Sequence, residues 1–383
     1  QTCAISAVDP QPLDSFMLMD TCALSHSSLG GVALVASASV VTWGSSELVG
    51  AGGTYRLCWC WNDDVMLDLN LSNSTNFTSP PTAFAALPVS SLNASNESNA
   101  SLSSRQPCQY THDFAVDVGP VLLVGPSPLR QDRTCISGHT CTIEGVLGTE
   151  LESLMIQDTC GSPFSMLPAL NFSAADHRWE VPVLTQSGGT YRLCWCSSMF
   201  SCDRLEDFRV ELGVLHLLGP RPLQQHRTCI SGCPCAIDKL ALYPPELPGM
   251  SLLVAGSCGS TQTAEGFSTE PVGIHASTRT ATWPAVTASG GLYSLCWHSE
   301  PTATVWNWTG NASGLLDLEA GGSVNGSLQA SLPVDHSVFM GQLLLIGPLR
   351  DHEATCISGS PCSARLRGYH LSTEDAVAIL DTC

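Results

Sequence analysis

Apolar and polar residues alternate with period two in short runs along the chain, most clearly at Gly52–Cys60, GGTYRLCWC. In an extended strand Tyr55, Leu57 and Trp59 share one face, and Cys58 and Cys60 share the other. The nine residues recur unchanged at Gly188–Cys196 and, as GGLYSLCWH, at Gly290–His298. Tyr191, Leu193 and Trp195, and then Tyr293, Leu295 and Trp297, keep the same face. Aromatics at strand spacing are more often core than binding surface, so that face is assigned to the core. Apolar runs ending in Gly-Pro follow each copy: VLLVGP from Val121, LHLLGP from Leu215 and LLLIGP from Leu343. These runs are bounded by Gly, Pro and Ser clusters and read as strands. No stretch sustains a helical period over a useful length, with STEDAVAIL from Ser372 left ambiguous. The pattern predicts an all-β chain.

The runs belong to a larger repeat. RTCISGHTC from Arg133 returns as RTCISGCPC from Arg227 and ATCISGSPC from Ala354. About twenty residues later comes a third motif, ending at Cys22, Cys160, Cys258 and Cys383, and a tryptophan (Trp43, Trp179, Trp283) precedes the tyrosine motif. Repeats of this kind are stacked supersecondary units or whole small domains. Each unit is large enough for a two-sheet sandwich. The expected organisation is 1–126, a sandwich with a long glycosylated insertion; 127–220, the minimal unit; 221–348, a sandwich with a second glycosylated insertion; and 349–383, a partial fourth repeat or inter-subunit linking segment. Cys3 aligns with the second cysteine of TCISGxxC, so the chain opens inside a repeat. Following residues of a longer array, or a neighbouring subunit, are expected to complete the segment from Cys356 to Cys383.

The third copy puts His298 where Cys60 and Cys196 stand, and a disulfide partner should vanish with its mate. Cys108 follows Cys60 and Cys202 follows Cys196, whereas no cysteine occurs between His298 and Cys356. That co-loss predicts Cys60–Cys108 and Cys196–Cys202. The cysteines common to all three full units then pair as Cys22–Cys58, Cys160–Cys194 and Cys258–Cys296. TCISGxxC closing on itself gives Cys135–Cys141, Cys229–Cys235 and Cys356–Cys362. Spacing by itself does not settle connectivity, and the pairing of Cys3, Cys233 and Cys383 stays open.

Composition places this scaffold outside a reducing compartment. The 383 residues include 19 cysteines, a density suited to an oxidising, secretory setting. Ten of the eleven asparagines lie in N-x-S/T sequons, far above what a Ser-rich chain supplies by chance. They are Asn70, Asn73, Asn76, Asn93, Asn96, Asn99, Asn171, Asn307, Asn311 and Asn325. N-linked glycans are therefore expected, nine of them on the Ser/Asn/Gly-rich excursions spanning roughly 62–112 and 299–335. No other cofactor is expected. The net charge of −19 argues against nucleic acid and against an electrostatic membrane contact. The apolar stretch around Val32 to Val41 is about half the ~20 residues of a spanning helix, so no membrane span is expected.

Candidate chemistry is sparse. Cys229, Cys233 and Cys235 with His226 suggest a zinc site, but structural zinc favours two well-spaced ligand pairs, and the other copies of the motif are simple cysteine pairs. No metal is expected. Asp63, Asp64 and Asp68 suit calcium less well than a solvated acidic turn. No nucleophile elbow, His-Glu-x-x-His or phosphate loop occurs. The expectation is a protein that is not an enzyme, without catalytic residues.

GGTYRLCWC and TCISGxxC resemble motifs of Cys-rich extracellular repeat proteins of protists, widespread in dinoflagellates and green algae. That group includes mastigoneme-like glycoproteins that build flagellar hairs. The resemblance implies tandem immunoglobulin-like (Ig-like) β-sandwiches, disulfide-stapled, in an algal structural protein at the cell or flagellar surface, with itself as partner in a homopolymer or a longer array. The Ala/Gly/Leu/Ser/Arg-rich, lysine-poor composition fits a high-GC algal genome. Two departures from the immunoglobulin pattern stand out: Tyr55 precedes Cys58 by three residues where a tyrosine corner has two, and the tryptophan lies nearer the second cysteine. An Ig-like sandwich is accordingly expected, with no claim that it follows the standard strand order. The leading function is a structural subunit of an extracellular glycoprotein filament. A cell-surface adhesin or carbohydrate-binding receptor ectodomain is the alternative.

Overall fold

The computed structural model describes residues 4–6, 14–24, 28–37, 40–45, 48–61, 108–147, 153–164, 170–173, 178–181, 183–199, 201–245, 249–260, 262–299 and 338–380. These form two compact units, Gln1–Gly125 and Pro126–Cys383. Described elements are strands and two 3₁₀ turns, and no described helix is long and apolar enough to cross a membrane.

The first unit holds β1 (Ala4–Ser6), β2 (Ser15–Met19), β3 (Ser28–Ser37), β4 (Val40–Thr42), β5 (Gly53–Cys60) and β6 (Val116–Leu123). They follow the order β1-β4-β3-β2-β5-β6. The ten-residue β3 pairs with both β2 and β4, so one strand carries the sheet around the core. Leu18, Ala33, Val41, Trp43 and Leu57 fill that core, with Trp59 partly buried against it.

The second unit begins with β7 (Arg133–Ile136), β8 (Cys141–Ile143), β9 (Ser153–Gln157), β10 (Asn171–Ser173), β11 (Arg178–Val181), β12 (Gly189–Cys196) and β13 (Val210–Pro220). β13, β12 and β9 pair in that order, β7 joins β13 in parallel, and β10, β11 and β8 form the second sheet. Lettered A to G in chain order, C, F and G share one sheet and B, E and D the other. This is the immunoglobulin arrangement, with strand A moved onto G. The sandwich, expected with no claim on strand order, thus acquires one. Ile143 and Trp179 of one sheet meet Ile156, Leu193, Trp195 and Leu215 of the other in a single buried core.

The third repeat continues the same unit with β14 (Arg227–Ile230), β15 (Pro234–Ile237), β16 (Leu242–Tyr243), β17 (Met250–Ala255), β18 (Val272–Gly273), β19 (Ala281–Ala285), β20 (Gly291–Ser299) and β21 (Val338–Pro348). β14, β21, β20, β17 and β18 form one sheet, facing the β15–β19 pair across a core that includes Trp283 and Trp297. Last comes β22 (Gly368–Tyr369), antiparallel to the end of β21. Residues 353–380 are otherwise exposed in this single chain, and the ambiguous Ser372 stretch contains no helix.

Two features explain the repeated motif residue by residue. Tyr55, Tyr191 and Tyr293 each donate a hydroxyl hydrogen bond of 2.7 Å to a carbonyl four residues upstream, at Ala51, Ser187 and Ser289. That is a tyrosine corner, reached despite the shifted spacing. A Cβ on Gly52, Gly188 or Gly290 would lie 1.9, 2.4 or 2.0 Å from the carbonyl oxygen of Gly125, Gly219 or Gly347. The first glycine of GGTYRLCWC and the glycine of Gly-Pro are therefore two sides of one backbone contact.

Candidate functional site: the joint between repeats

With no cofactor or substrate pocket anticipated, the place where one repeat meets the next is the candidate site. It starts from strand A. Ser137 of the TCISG motif donates its amide to Leu218 (2.9 Å) and Gly138 its amide to Leu184, while the Ser137 hydroxyl reaches Gln186 O at 2.9 Å. Ser231 and Gly232 repeat this, with Ser231 N to Ile346 O at 2.8 Å and Gly232 N to Val286 O at 2.6 Å. The turn needs a left-handed glycine, with φ of +84° at Gly138 and +85° at Gly232. TCISG is thus a strand followed by a turn clamped to the loop before strand F.

That clamped turn faces the following repeat. β13 continues past its own sheet and pairs antiparallel with β16, Gly219 opposite Tyr243 and Pro220 opposite Leu242. Arg221 N extends the ladder to Ala241 O at 3.0 Å. Leu218 is 8% exposed and belongs to the third repeat's core, with Ile136 and Leu223 packed against it. Burying a leucine contributes roughly 1.5–3 kcal/mol, so the joint is a hydrophobic seam as well as a strand pairing. Just past it Gln225 is buried and bonded within the third repeat: its Nε2 donates to Pro222 O and Ala241 O, and its Oε1 accepts from Ala241 N, all at 2.8 Å. The end of β21 makes the same ladder, Gly347 opposite Tyr369, with Leu349 N donating to Arg367 O at 2.9 Å. His352 takes the glutamine's part there, accepting from Arg367 N at 2.9 Å.

Polar contacts complete the joint between the second and third repeats. His139 Nε2 lies 2.7 Å from Ser299 O, and its ring centroid is 5.1 Å from that of His298. His216 Nδ1 lies 2.9 Å from the Tyr243 hydroxyl, and the Arg221 guanidinium sits 5.8 Å from the Tyr243 ring centroid. Burial lowers the His216 pKa below the usual imidazole value, opposed by the nearby Asp132. Burial also raises the hydroxyl of Tyr243, with Arg221 pulling the other way.

The cysteines fall into two places. Cys135–Cys141 and Cys229–Cys235 tie strand A to strand B inside the sandwich cores, and Cys356–Cys362 closes the third such motif. Cys22–Cys58, Cys160–Cys194 and Cys258–Cys296 lie on the outer face of the C–F–G sheet. Beside them stand Cys60–Cys108 and Cys196–Cys202. Sequence reasoning missed what covers this face. Phe114 and Phe208 cap it from just beyond the 3₁₀ turns Thr111–Asp113 and Leu205–Asp207. The signal was the shared Asp-Phe: Asp113 and Asp207 accept backbone amides of Tyr110 and Arg204 at 2.9 and 3.0 Å.

The zinc cluster does not converge. Cys229 and Cys235 are bonded to each other, Cys233 is exposed with no disulfide, and His226 Nδ1 accepts the amide of Gln342 at 3.1 Å. Asn171 opens β10. The other nine sequons, Asp63, Asp64, Asp68, Cys3 and Cys383 lie outside the described residues.

No family model matches the chain, and no curated protein matches it in sequence. Among solved structures, extracellular domains 3–5 of Drosophila OTK align at 8% identity over 79% of this chain and 88% of that one, with a TM-score of 0.18. The I67–I69 fragment of titin aligns at 8% identity over 79% and 89%, with a TM-score of 0.17. The Bacteroides ovatus glucan-utilisation protein SGBP-B, solved with a mixed-linkage heptasaccharide, aligns at 12% identity and a TM-score of 0.18, covering 78% of this chain and 58% of that one. Its strand order and disulfides, not these likenesses, make this chain a tandem array of disulfide-bonded Ig-like β-sandwiches.

Proposed function

We propose that the chain is a structural segment of an extracellular glycoprotein filament of the flagellar-hair kind, working by association rather than catalysis. One observation carries this reading: the last strand of each repeat in the second unit runs on as a pairing partner of the next, at β13–β16 and again at β21–β22. A flexible linker would let sandwiches swing, whereas a shared ladder and a shared apolar seam transmit bending and tension from one to the next. The cysteine bonds suit a rod outside the cell, because the strand-A turns of the second and third repeats are stapled to their own sandwiches.

Negative-stain electron microscopy of native material tests the proposal. Regular fibres are expected, striated at roughly 35 Å, the run of an eleven-residue strand such as β13. Dispersed particles that bind polysaccharide would instead support the adhesin reading.

A further inference from the structure

The three G strands differ at one edge. β6, β13 and β21 align through their Gly-Pro ends and carry the same bulge against strand F, at Val118, Leu212 and Met340. A parallel TCI strand takes the outer edge of β13 and of β21, β7 in the first case and β14 in the second. Among the described residues no strand pairs with that edge of β6. We propose that the outer edge of β6 accepts, as a parallel strand, the segment Ala354–Ile357 of a second copy of this chain.

β6 keeps the features that a parallel neighbour requires. A Cβ on Gly213 would lie 2.7 Å from the backbone of Gln131, and one on Gly341 2.6 Å from that of Gln225, because the approach to strand A closes to contact there. Gly119 stands at the same place, with no atom of the described residues within 4 Å of its would-be Cβ. Its φ of +152° matches the +149° of Gly341, so the first repeat holds the backbone shape of an occupied edge. Burial agrees. Leu212 and Met340 are 0% exposed, whereas Val118 is 54% and Leu122 71% exposed. An apolar edge strand open to water is a template for pairing with another chain.

Pro120 fits this role. Its counterparts Val214 and Gln342 send their amides to side chains, Asp132 Oδ1 at 2.8 Å and His226 Nδ1 at 3.1 Å, just before the parallel ladder begins. A proline there removes an amide that the ladder does not use.

The chain itself supplies the occupant. Of its three TCISG segments, two are seated in their own repeats as β7 and β14. The third is exposed throughout, with Ile357 at 74%. The register of the two filled edges sets Ala354 opposite Val121, Thr355 opposite Leu122, and Ile357 opposite Val124. Gln131 N donates to Leu212 O at 2.9 Å and Gln225 N to Met340 O at 2.7 Å, so His352 N is matched with Val118 O. Ser137 N donates to Leu218 O and Ser231 N to Ile346 O, so Ser358 N is matched with Val124 O. By alternation the amide of Ala354 faces β6, and that of Leu122 faces outward. The two surfaces are different, so each copy that docks leaves one edge and one strand to continue, head to tail. This deepens the filament reading and rests on its premise that the repeats work by association. The two fail separately: fibres lacking this contact strike the joint alone, and head-to-tail pairs that build no fibre strike the filament alone.

Photo-crosslinking of the intact, oxidised chain tests it. With p-benzoylphenylalanine in place of Leu122, and isotope-labelled chain mixed with unlabelled, cross-links to Thr355 and its neighbours are expected between labelled and unlabelled copies. Sedimentation velocity should show association that rises with concentration. Leu122→Pro removes the outward amide of the edge, as Pro120 already does two residues earlier, and Ala354→Pro removes a donor of the incoming strand. Each alone is expected to weaken association roughly tenfold or more. An equimolar mixture of the two should form pairs that grow no further, because one intact edge meets one intact strand. If the Leu122→Pro chain does not fold, the cross-links and the Ala354→Pro chain decide. A wild-type chain that stays monomeric, cross-links confined to single copies or falling away from the Thr355 segment, or an Ala354→Pro chain that associates like the wild type overturns the inference.

Discussion

Gly188 shows how one absent methyl shapes the chain. Its would-be Cβ points at a backbone carbonyl 2.4 Å away, at Gly219, where no rotamer can make room. Gly188 also donates its amide to Pro220 O at 2.8 Å, so the contact and the hydrogen bond fall at the start of the joint. Gly188→Ala is expected to destabilise the second repeat by about 1–3 kcal/mol, as overpacking does, with urea unfolding as the measure. Tyr191 acts on the same corner from the side-chain end. Tyr191→Phe removes the 2.7 Å bond to Ser187 O and is expected to lower stability by about 1 kcal/mol, and by the same route at Tyr55 and Tyr293. A binding role for these tyrosines would instead leave stability unchanged.

At the scale of elements, the outer face of the C–F–G sheet and the joint are the two places where strands acquire a second task. On the outer face, Cys194 and Cys196 sit beside Phe208, whose carbonyl accepts the amide of Gly161 at 2.7 Å. Phe208→Ala is expected to cost about 3–5 kcal/mol and to speed reduction of Cys160–Cys194 under mild dithiothreitol, followed by thiol labelling. Unchanged labelling would mean that the phenyl ring does not shield the bond. At the joint, Leu218 is the apolar contact that commits β13 to the next repeat. Leu218→Ala is expected to lower stability by about 2–5 kcal/mol. The loss should appear in the third repeat's unfolding step as well as the second's, because the side chain is buried in the third repeat's core.

For the whole molecule, the two described ladders make the second unit a continuous β-structure from β7 to β22, whereas glycan acceptors cluster in segments between strands F and G. Digestion with a peptide N-glycosidase followed by peptide mapping is expected to place glycans on Asn70 to Asn99 and Asn307 to Asn325. Bare peptides there would remove the argument that these segments are hydrated arms.

The sequence by itself determined the all-β class and the logic of the cysteines. Co-loss at His298 pointed to Cys60–Cys108 and Cys196–Cys202, and both pairs are bonded in the structure. These were legible because each is written as a local period or as a residue that appears and disappears with its partner. Strand A's crossing onto strand G, the run of β13 into the third repeat and the meeting of His139 with His298 were decided by tertiary structure alone. His139 and Ser299 are 160 residues apart, and no periodicity within either segment encodes the other. The tyrosine corner falls between these cases. Its residue was visible, but its shifted spacing argued against it until the backbone showed the hydroxyl reaching the same kind of carbonyl, because hydrogen bonding depends on distance in space rather than on count along the chain.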